Sequence, residues 1–101
     1  MTKKLDIHIE KLMQAIALLN NNEEALHFFT DLCTPSELEA MADRWQIVPL
    51  LRDGVPYREI HERTGVSVAT ITRVARCIHL GSGGYSLIAD RVKSLPPYES
   101  S

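Results

Sequence analysis

The stretch that decides the fold is YREIHERTGVSVATITRVARCI, residues 57–78. It contains two short segments of helical periodicity, 57–63 and 68–79, separated by Thr-Gly-Val-Ser. Two such helices cross at about 90–120° only if the turn between them is tight, and Gly65 provides the backbone freedom for that turn. The apolar side chains that would hold this angle are Ile60, Val66, Ile71 and Val74. The pattern predicts a helix-turn-helix over about 57–79.

The second helix of this pair divides by angle into two faces. The inward face contains the apolar residues Val68, Ile71, Val74, Ala75 and Ile78. The outward face presents a methyl group, a hydroxyl group and two guanidinium groups, from Ala69, Thr72, Arg73 and Arg76. Methyl groups can contact thymine, hydroxyl groups can bond phosphates or base edges, and arginine can bind guanine or phosphate. We therefore predict that the outward face enters the major groove of DNA.

Residues next to this face complete the predicted DNA contact. Ser67 can cap the second helix with its hydroxyl group, and Arg58 and His61 on the preceding helix are placed to touch backbone phosphates. A helix-turn-helix more often has a small residue at the position of His61. The predicted DNA-contacting residues are Arg58, His61, Ser67, Val68, Ala69, Thr72, Arg73 and Arg76. The simpler alternative is a helical hairpin whose polar face is only solvated.

The remaining sequence predicts four more helices, at about 6–20, 23–32, 35–53 and 85–93. Thr34-Pro35-Ser36-Glu37 combines a capping threonine with a proline at the first helical position and a glutamate three residues after the threonine, which marks a helix start. Pro49 removes an internal hydrogen bond, so we expect a kink or a break near 45–49. With no convincing strand, the sequence predicts an all-α fold of six helices in a single domain, 1–101, with a frayed tail at 95–101.

Composition narrows the class of protein. The chain has 101 residues, 45% hydrophobic and 24% charged, as in ordinary globular domains. It has no long apolar run and no apolar secretory core near its start, so we expect a cytoplasmic protein. The histidines lack metal-ligand spacing and no nucleophile–base pair stands out, so we expect neither an enzyme nor a cofactor. Cys33 and Cys77 lie in apolar helical patterns and are interpreted as small buried side chains.

The charge distribution favours one segment as the nucleic-acid binder. Residues 1–56 carry five basic and nine acidic side chains, whereas residues 57–79 carry four arginines and two glutamates. The predicted helix-turn-helix therefore has a net charge of +2, although the whole chain has −2. A basic segment on an acidic body can still bind phosphates.

Residues 33–73, CTPSELEAMADRWQIVPLLRDGVPYREIHERTGVSVATITR, resemble the corresponding part of the Trp repressor family. With FFTDLCTPSE at 28–37 and YSLIADRVK at 85–93, the chain is most similar to the YerC/YecD branch of Trp-repressor-like proteins. The resemblance implies an intertwined homodimer in which the first, third and last helices interlock with those of the partner. It also implies double-stranded operator DNA as the partner, with two recognition helices in major grooves about 34 Å apart.

The same resemblance assigns roles by position. Val68, Ala69, Thr72 and Arg73 match the operator-reading stretch of the family, and Arg58 and His61 match its phosphate-contacting positions.

A corepressor pocket is also implied by the resemblance. In the Trp repressor two arginines enclose the indole ring of the corepressor, and Arg44 and Arg73 occupy the matching positions, as does Thr34 at the start of the third helix. Val74 stands where the repressor has glycine, and Cys77 stands where it has serine. A branched side chain takes space that a planar ring needs, and a thiol is a poorer hydrogen-bond partner. We therefore expect DNA binding that does not depend on tryptophan.

The interpretation is a sequence-specific transcription regulator, with repression as the expected mode. Two alternatives stay open: a dimeric helical module that binds a protein, and a regulator that responds to an amino-acid-like ligand. Salt separates the first of these from DNA binding. Binding through several phosphates weakens steeply as salt rises, whereas apolar protein contacts do not.

Overall fold

A computed structural model describes residues 3–96, with side chains from residue 6 onward. Within this range the chain has no strand and six helices, which are α1 (Lys3–Ala17), α2 (Asn22–Leu32), α3 (Pro35–Arg52), α4 (Tyr57–Thr64), α5 (Val68–Leu80) and α6 (Gly84–Lys93). No helix end lies more than three residues from its predicted position, so the all-α prediction is confirmed. None of these helices is long and apolar enough to cross a membrane. Residues 97–101 of the predicted frayed tail lie outside the described range.

The contacts of the chain form two compact units, residues 1–38 and 39–101. The first unit contains α1 and α2, and the start of α2 is fixed by side chains. The Asn21 side chain accepts a hydrogen bond from the Glu24 N–H at 2.9 Å, and the Glu24 carboxylate accepts one from the Asn20 N–H at 3.0 Å. The first bond satisfies an amide that the first turn of a helix leaves without a partner, and the second ties the residue before the cap to the helix.

The apolar side chains of the first unit remain largely in water. The fully buried side chains of the described chain all lie at residue 47 or later, and α2 has none. Leu18 is 76% exposed and Leu26 is 64% exposed, although Phe28 and Phe29 pack edge to face with ring centroids 5.5 Å apart. The first unit therefore lacks a closed core of its own.

The start of α3 has the predicted capping box. The Glu37 N–H donates to the Thr34 hydroxyl at 3.2 Å, and the Thr34 N–H donates to the Glu37 carboxylate at 2.7 Å. The hydrogen bond from the Thr34 backbone, followed by the one with its side chain, lowers the pKa of Glu37 below its ordinary value because both favour the charged carboxylate.

The helix α3 continues through Pro49, so of the kink or break expected there the break does not occur. Ile47 and Val48, the two residues before the proline, are fully buried in the core. Their burial stabilises helical backbone at a position where one hydrogen bond is lost, and Pro49 itself lies on the exposed side. Beyond it the Asp53 N–H still donates to the Pro49 carbonyl at 3.0 Å.

The second unit has a continuous buried core to which α3, α4, α5 and α6 all contribute. Its members are Ile47, Val48, Ile60, Val66, Ile71, Val74 and Ala89. All four apolar positions predicted to hold the helix-turn-helix angle belong to this core. The same unit attaches α6 by polar and aromatic contacts: an Arg52 guanidinium nitrogen lies 2.6 Å from an Asp90 carboxylate oxygen, and the Trp45 and Tyr85 rings stack with centroids 6.4 Å apart.

Candidate nucleic-acid interface

The turn between α4 and α5 is built around Gly65. This residue has a φ of 77° and caps the end of α4, where its N–H donates to the His61 carbonyl at 2.8 Å. The left-handed conformation costs about 1–2 kcal/mol for a residue with a side chain, which explains glycine here. A Cβ would meet nothing within 4 Å, so the backbone angle alone sets this requirement.

The start of α5 is capped by Ser67, as predicted. Its hydroxyl oxygen accepts a hydrogen bond from the Thr70 N–H at 3.2 Å and donates to the Thr70 hydroxyl oxygen at 3.0 Å. The cap fixes the first turn of the helix, the part that enters a DNA groove first in a helix-turn-helix. Ser67 remains exposed, so contact with DNA stays a prediction for this residue.

The outward face of α5 is accessible. Ala69, Thr72, Arg73 and Arg76 are all exposed, whereas Ile71 and Val74 on the opposite face are fully buried. Val68 was predicted on both the inward face and the DNA contact, and it is 50% exposed. Its placement on the inward face is therefore only half right. As the first residue of α5, it lies where the helix emerges from the turn.

The Thr72 hydroxyl group is already engaged in the free protein. It donates to the Val68 carbonyl, one turn earlier in α5, at 2.9 Å. A hydroxyl group has one hydrogen to donate and two lone pairs that accept. The side chain therefore presents a methyl group and acceptor positions on the outward face.

The positive charge of the interface is concentrated on α5. On α4, Arg58 lies 3.5 Å from the Glu62 carboxylate, and Arg63 lies 3.1 Å from the Glu59 carboxylate. Arg73 and Arg76 form no ion pair with any residue of the described range, and the sequence of α5 contains no acidic residue. These two guanidinium groups thus form a local excess of charge that an anionic partner can use.

His61 has a role that the sequence did not reveal. Its ring nitrogen Nδ1 lies 2.8 Å from the Val66 carbonyl oxygen, across the turn. The nearby Thr64 hydroxyl donates to the Ile60 carbonyl at 2.7 Å and accepts from the Val66 N–H at 3.1 Å. Thr64 was missed entirely, because side-chain bonds to a turn depend on backbone geometry rather than on helical spacing. Threonine at the end of a helix next to glycine was the only available signal.

The residues of the implied corepressor pocket lie in different environments. Val74 is fully buried in the core, Arg44 and Cys77 are half-buried, and Arg73 is exposed. Thr34 is engaged in the capping box of α3.

The cleft that contains Cys77 has a volume of about 410 Å³ and is otherwise lined by residues 81–85. Arg44 and Arg73 do not line it. The described residues contain no group of three or more His, Cys, Asp or Glu side chains placed to hold a metal ion.

Comparison with known proteins agrees with this architecture. A family described as Trp repressor protein matches residues 7–93. The Bacillus subtilis protein YerC, which is described as uncharacterised, is 40% identical over 92% of this chain and 89% of its own length. A Trp operon repressor homologue from Mannheimia succiniciproducens is 36% identical over 71% of this chain and 72% of its own length.

A solved structure shows the same fold. The TrpR-like protein from Eubacterium eligens superposes with a TM-score of 0.83 at 38% identity, and the match covers 94% of this chain and 99% of that one. The family match spans most of the sequence, and the backbone fold agrees with this neighbour. The chain belongs to the Trp repressor family, as a member of the YerC type.

Proposed function

We propose that this protein is a sequence-specific DNA-binding transcription regulator, not an enzyme, that reads DNA with the outward face of α5. The observation that carries the proposal is an exposed face whose two guanidinium groups form no ion pair within the described residues, on a helix that buries Ile71 and Val74 completely on its opposite side. A helix held this rigidly can present Thr72 and Arg73 to base edges in a fixed register. Membership of a family of DNA-binding regulators supports the same function.

A homodimer is part of the proposal. Leu18, Leu26 and Leu87 each expose half or more of their surface, and α3 and α6 border a cleft of about 200 Å³ lined in part by Trp45 and Val92. A second copy of the chain would bury such surfaces, which a short chain has difficulty burying alone. Two copies of α5 would then read half-sites about 34 Å apart. A regulator of this kind acts in the cytoplasm, with repression as its proposed mode.

Independence from tryptophan is also proposed. Val74 is fully buried against the core, so a planar ring placed next to it would have to displace packed side chains. Isothermal calorimetry with L-tryptophan and related amino acids tests this point, and we expect no heat of binding at micromolar concentrations. Micromolar binding of tryptophan would contradict the proposal. Binding of another amino acid would instead identify an effector.

The DNA-binding test uses duplexes selected by the unchanged protein from a random-sequence library. We expect Arg73→Ala and Thr72→Ala to lose the preference for the selected duplex over a scrambled one while the protein stays folded and dimeric. Arg91→Ala, which removes an exposed arginine from α6, is the charge-matched control and should retain the preference. Equal preference in all variants, measured by fluorescence anisotropy, would contradict the proposal that α5 recognises the DNA sequence.

Salt dependence distinguishes DNA from a protein partner. Each phosphate contact contributes about −0.9 to the slope of log affinity against log salt. We expect a slope steeper than −3 for the selected duplex. Selection of no duplex at all, together with salt-independent binding to a protein, would favour the helical interaction module instead.

A further inference from the structure

We propose that His61 is a positioning residue that fixes the angle of the recognition helix through the turn, rather than a phosphate contact. The inference rests on the proposed DNA binding. Val66 is the turn residue that joins the buried core to the cap of α5. Val66 is 4% exposed, and the next residue, Ser67, is the cap. Any shift of Val66 therefore moves the start of α5.

Both backbone polar groups of Val66 are bonded by side chains of α4. Its N–H donates to the Thr64 hydroxyl oxygen at 3.1 Å, and its carbonyl oxygen lies 2.8 Å from His61 Nδ1. Backbone groups of a residue as buried as Val66 need partners because loss of a partner leaves a poorly solvated polar atom. The two side chains thus hold Val66 from both sides and connect α4 directly to the entry of α5.

The hydrogen bond also decides the tautomer of His61. A carbonyl oxygen can only accept, so Nδ1 must carry the hydrogen. In the neutral ring Nε2 then has a lone pair and no hydrogen, and it cannot donate to a phosphate oxygen. The group that the resemblance placed on the phosphate backbone is, in its neutral form, unsuited to that contact. The bond to Val66 also explains an imidazole where a helix-turn-helix more often has a small residue.

Two substitutions separate positioning from phosphate contact. The amide nitrogen of His61→Asn is as many bonds from Cα as Nδ1 and can donate to the Val66 carbonyl. The amide of His61→Gln reaches further, towards the position of Nε2, and fits a phosphate contact instead. His61→Ala removes both possibilities. All three variants are measured by anisotropy on the duplex selected by the unchanged protein, with thermal unfolding as the check on folding.

We expect the Ala and Gln variants to bind about two- to tenfold more weakly, the range of one hydrogen bond, with the salt slope unchanged. The Asn variant should restore most of the affinity that Ala removes. Retention of affinity by Gln with its loss in Asn would overturn the positioning role, as would a salt slope reduced by about 0.9, the value of one phosphate. A merely structural role would lower the unfolding temperature of the variants and leave their affinity at low temperature unchanged.

The tautomer is tested without DNA. Nitrogen-15 NMR of the free protein at a pH where the ring is neutral should show the hydrogen of His61 on Nδ1. A hydrogen on Nε2 would overturn the inference on its own and would leave the proposed function intact. Failure of the unchanged protein to bind any duplex would overturn the proposed function and the DNA-positioning role together, and is thereby distinguishable from failure of the inference alone.

Discussion

Two helix pairs, α1 with α2 and α4 with α5, are both amphipathic, but their apolar side chains differ in burial. In α4 and α5 the apolar residues are closed into a core with α3, and Ile60, Ile71 and Val74 are 0% exposed. In α1 and α2 the apolar residues are half-buried or exposed, with Leu26 at 64%. The helix-turn-helix therefore buries its apolar residues within its own chain, whereas the first two helices leave apolar surface that a second chain could bury.

The largest effect is expected from a cavity in the core of the helix-turn-helix. Ile71→Ala removes a fully buried side chain from α5 and leaves a cavity, so we expect the free energy of unfolding to fall by about 2–4 kcal/mol. Val68→Ala on the same helix is the matched control, since half of Val68 is already in water, and it should cost less than about 1 kcal/mol. Urea unfolding followed by circular dichroism measures both. Equal costs would mean that burial does not distinguish Ile71 from Val68 as described.

A smaller effect, on the dissociation constant of the proposed dimer, is expected from a change in the exposed apolar surface of α2. Leu26→Glu puts a charge on the exposed apolar surface of α2, and a dimer that buries this surface should weaken by about 2 kcal/mol or roughly thirtyfold in dissociation constant. Thr30→Ala, an exposed position on the same helix, should leave the dimer unchanged. Analytical ultracentrifugation decides between the two results. A dimer unaffected by Leu26→Glu would place the contact with the partner elsewhere.

Two glycines of the second unit differ in what their backbone requires. Gly65→Ala forces a side chain into a left-handed conformation and should cost about 1–2 kcal/mol, with weaker DNA binding because α5 is reoriented. Gly84→Ala is a useful control because Gly84 begins α6 without a positive φ, and a Cβ there meets nothing within 4 Å. That change should stabilise the protein by about 0.5 kcal/mol. Thermal unfolding of both variants would contradict this account if Gly65→Ala proved the milder one.

The smallest effect concerns the ion pair within the second unit. The hydrogen bond from Arg52, and then its charge, lower the pKa of Asp90 below the ordinary value of 3.8. A lowered carboxyl pKa adds stability that is fully present above the ordinary pKa and is lost as the pH falls through the folded value. Asp90→Asn should thus lower the unfolding temperature slightly at pH 7, and the difference should shrink as the pH falls below the ordinary pKa of 3.8. Asp31→Asn, at an exposed residue of the first unit that forms no ion pair within the described residues, is the control and should leave the unfolding temperature at pH 7 unchanged.

The sequence predicted what depends on spacing. The apolar residues of the helix-turn-helix, the glycine turn and the caps at Thr34 and Ser67 follow from local chemistry, and all of them are present. Of the kink or break expected near Pro49, the break is excluded because burial of Ile47 and Val48 outweighs one lost hydrogen bond, and burial is a property of the assembled core. The hydrogen bond from His61 to Val66 could not be predicted from the sequence either, because it joins a side chain to a turn whose path is fixed only in the folded backbone.

The Thr72 hydroxyl group, which donates its hydrogen to Val68, has a consequence for the bases it can select. While that bond is kept, the hydroxyl oxygen can only accept a hydrogen bond from a ligand. It therefore cannot bind phosphate oxygens or the O6 and N7 atoms of guanine, which are acceptors themselves. The exocyclic amino groups of adenine and cytosine are the complementary partners in the major groove. In the proposed complex with DNA, the base opposite this side chain should accordingly be A or C rather than G or T, and the adjacent arginine should favour G.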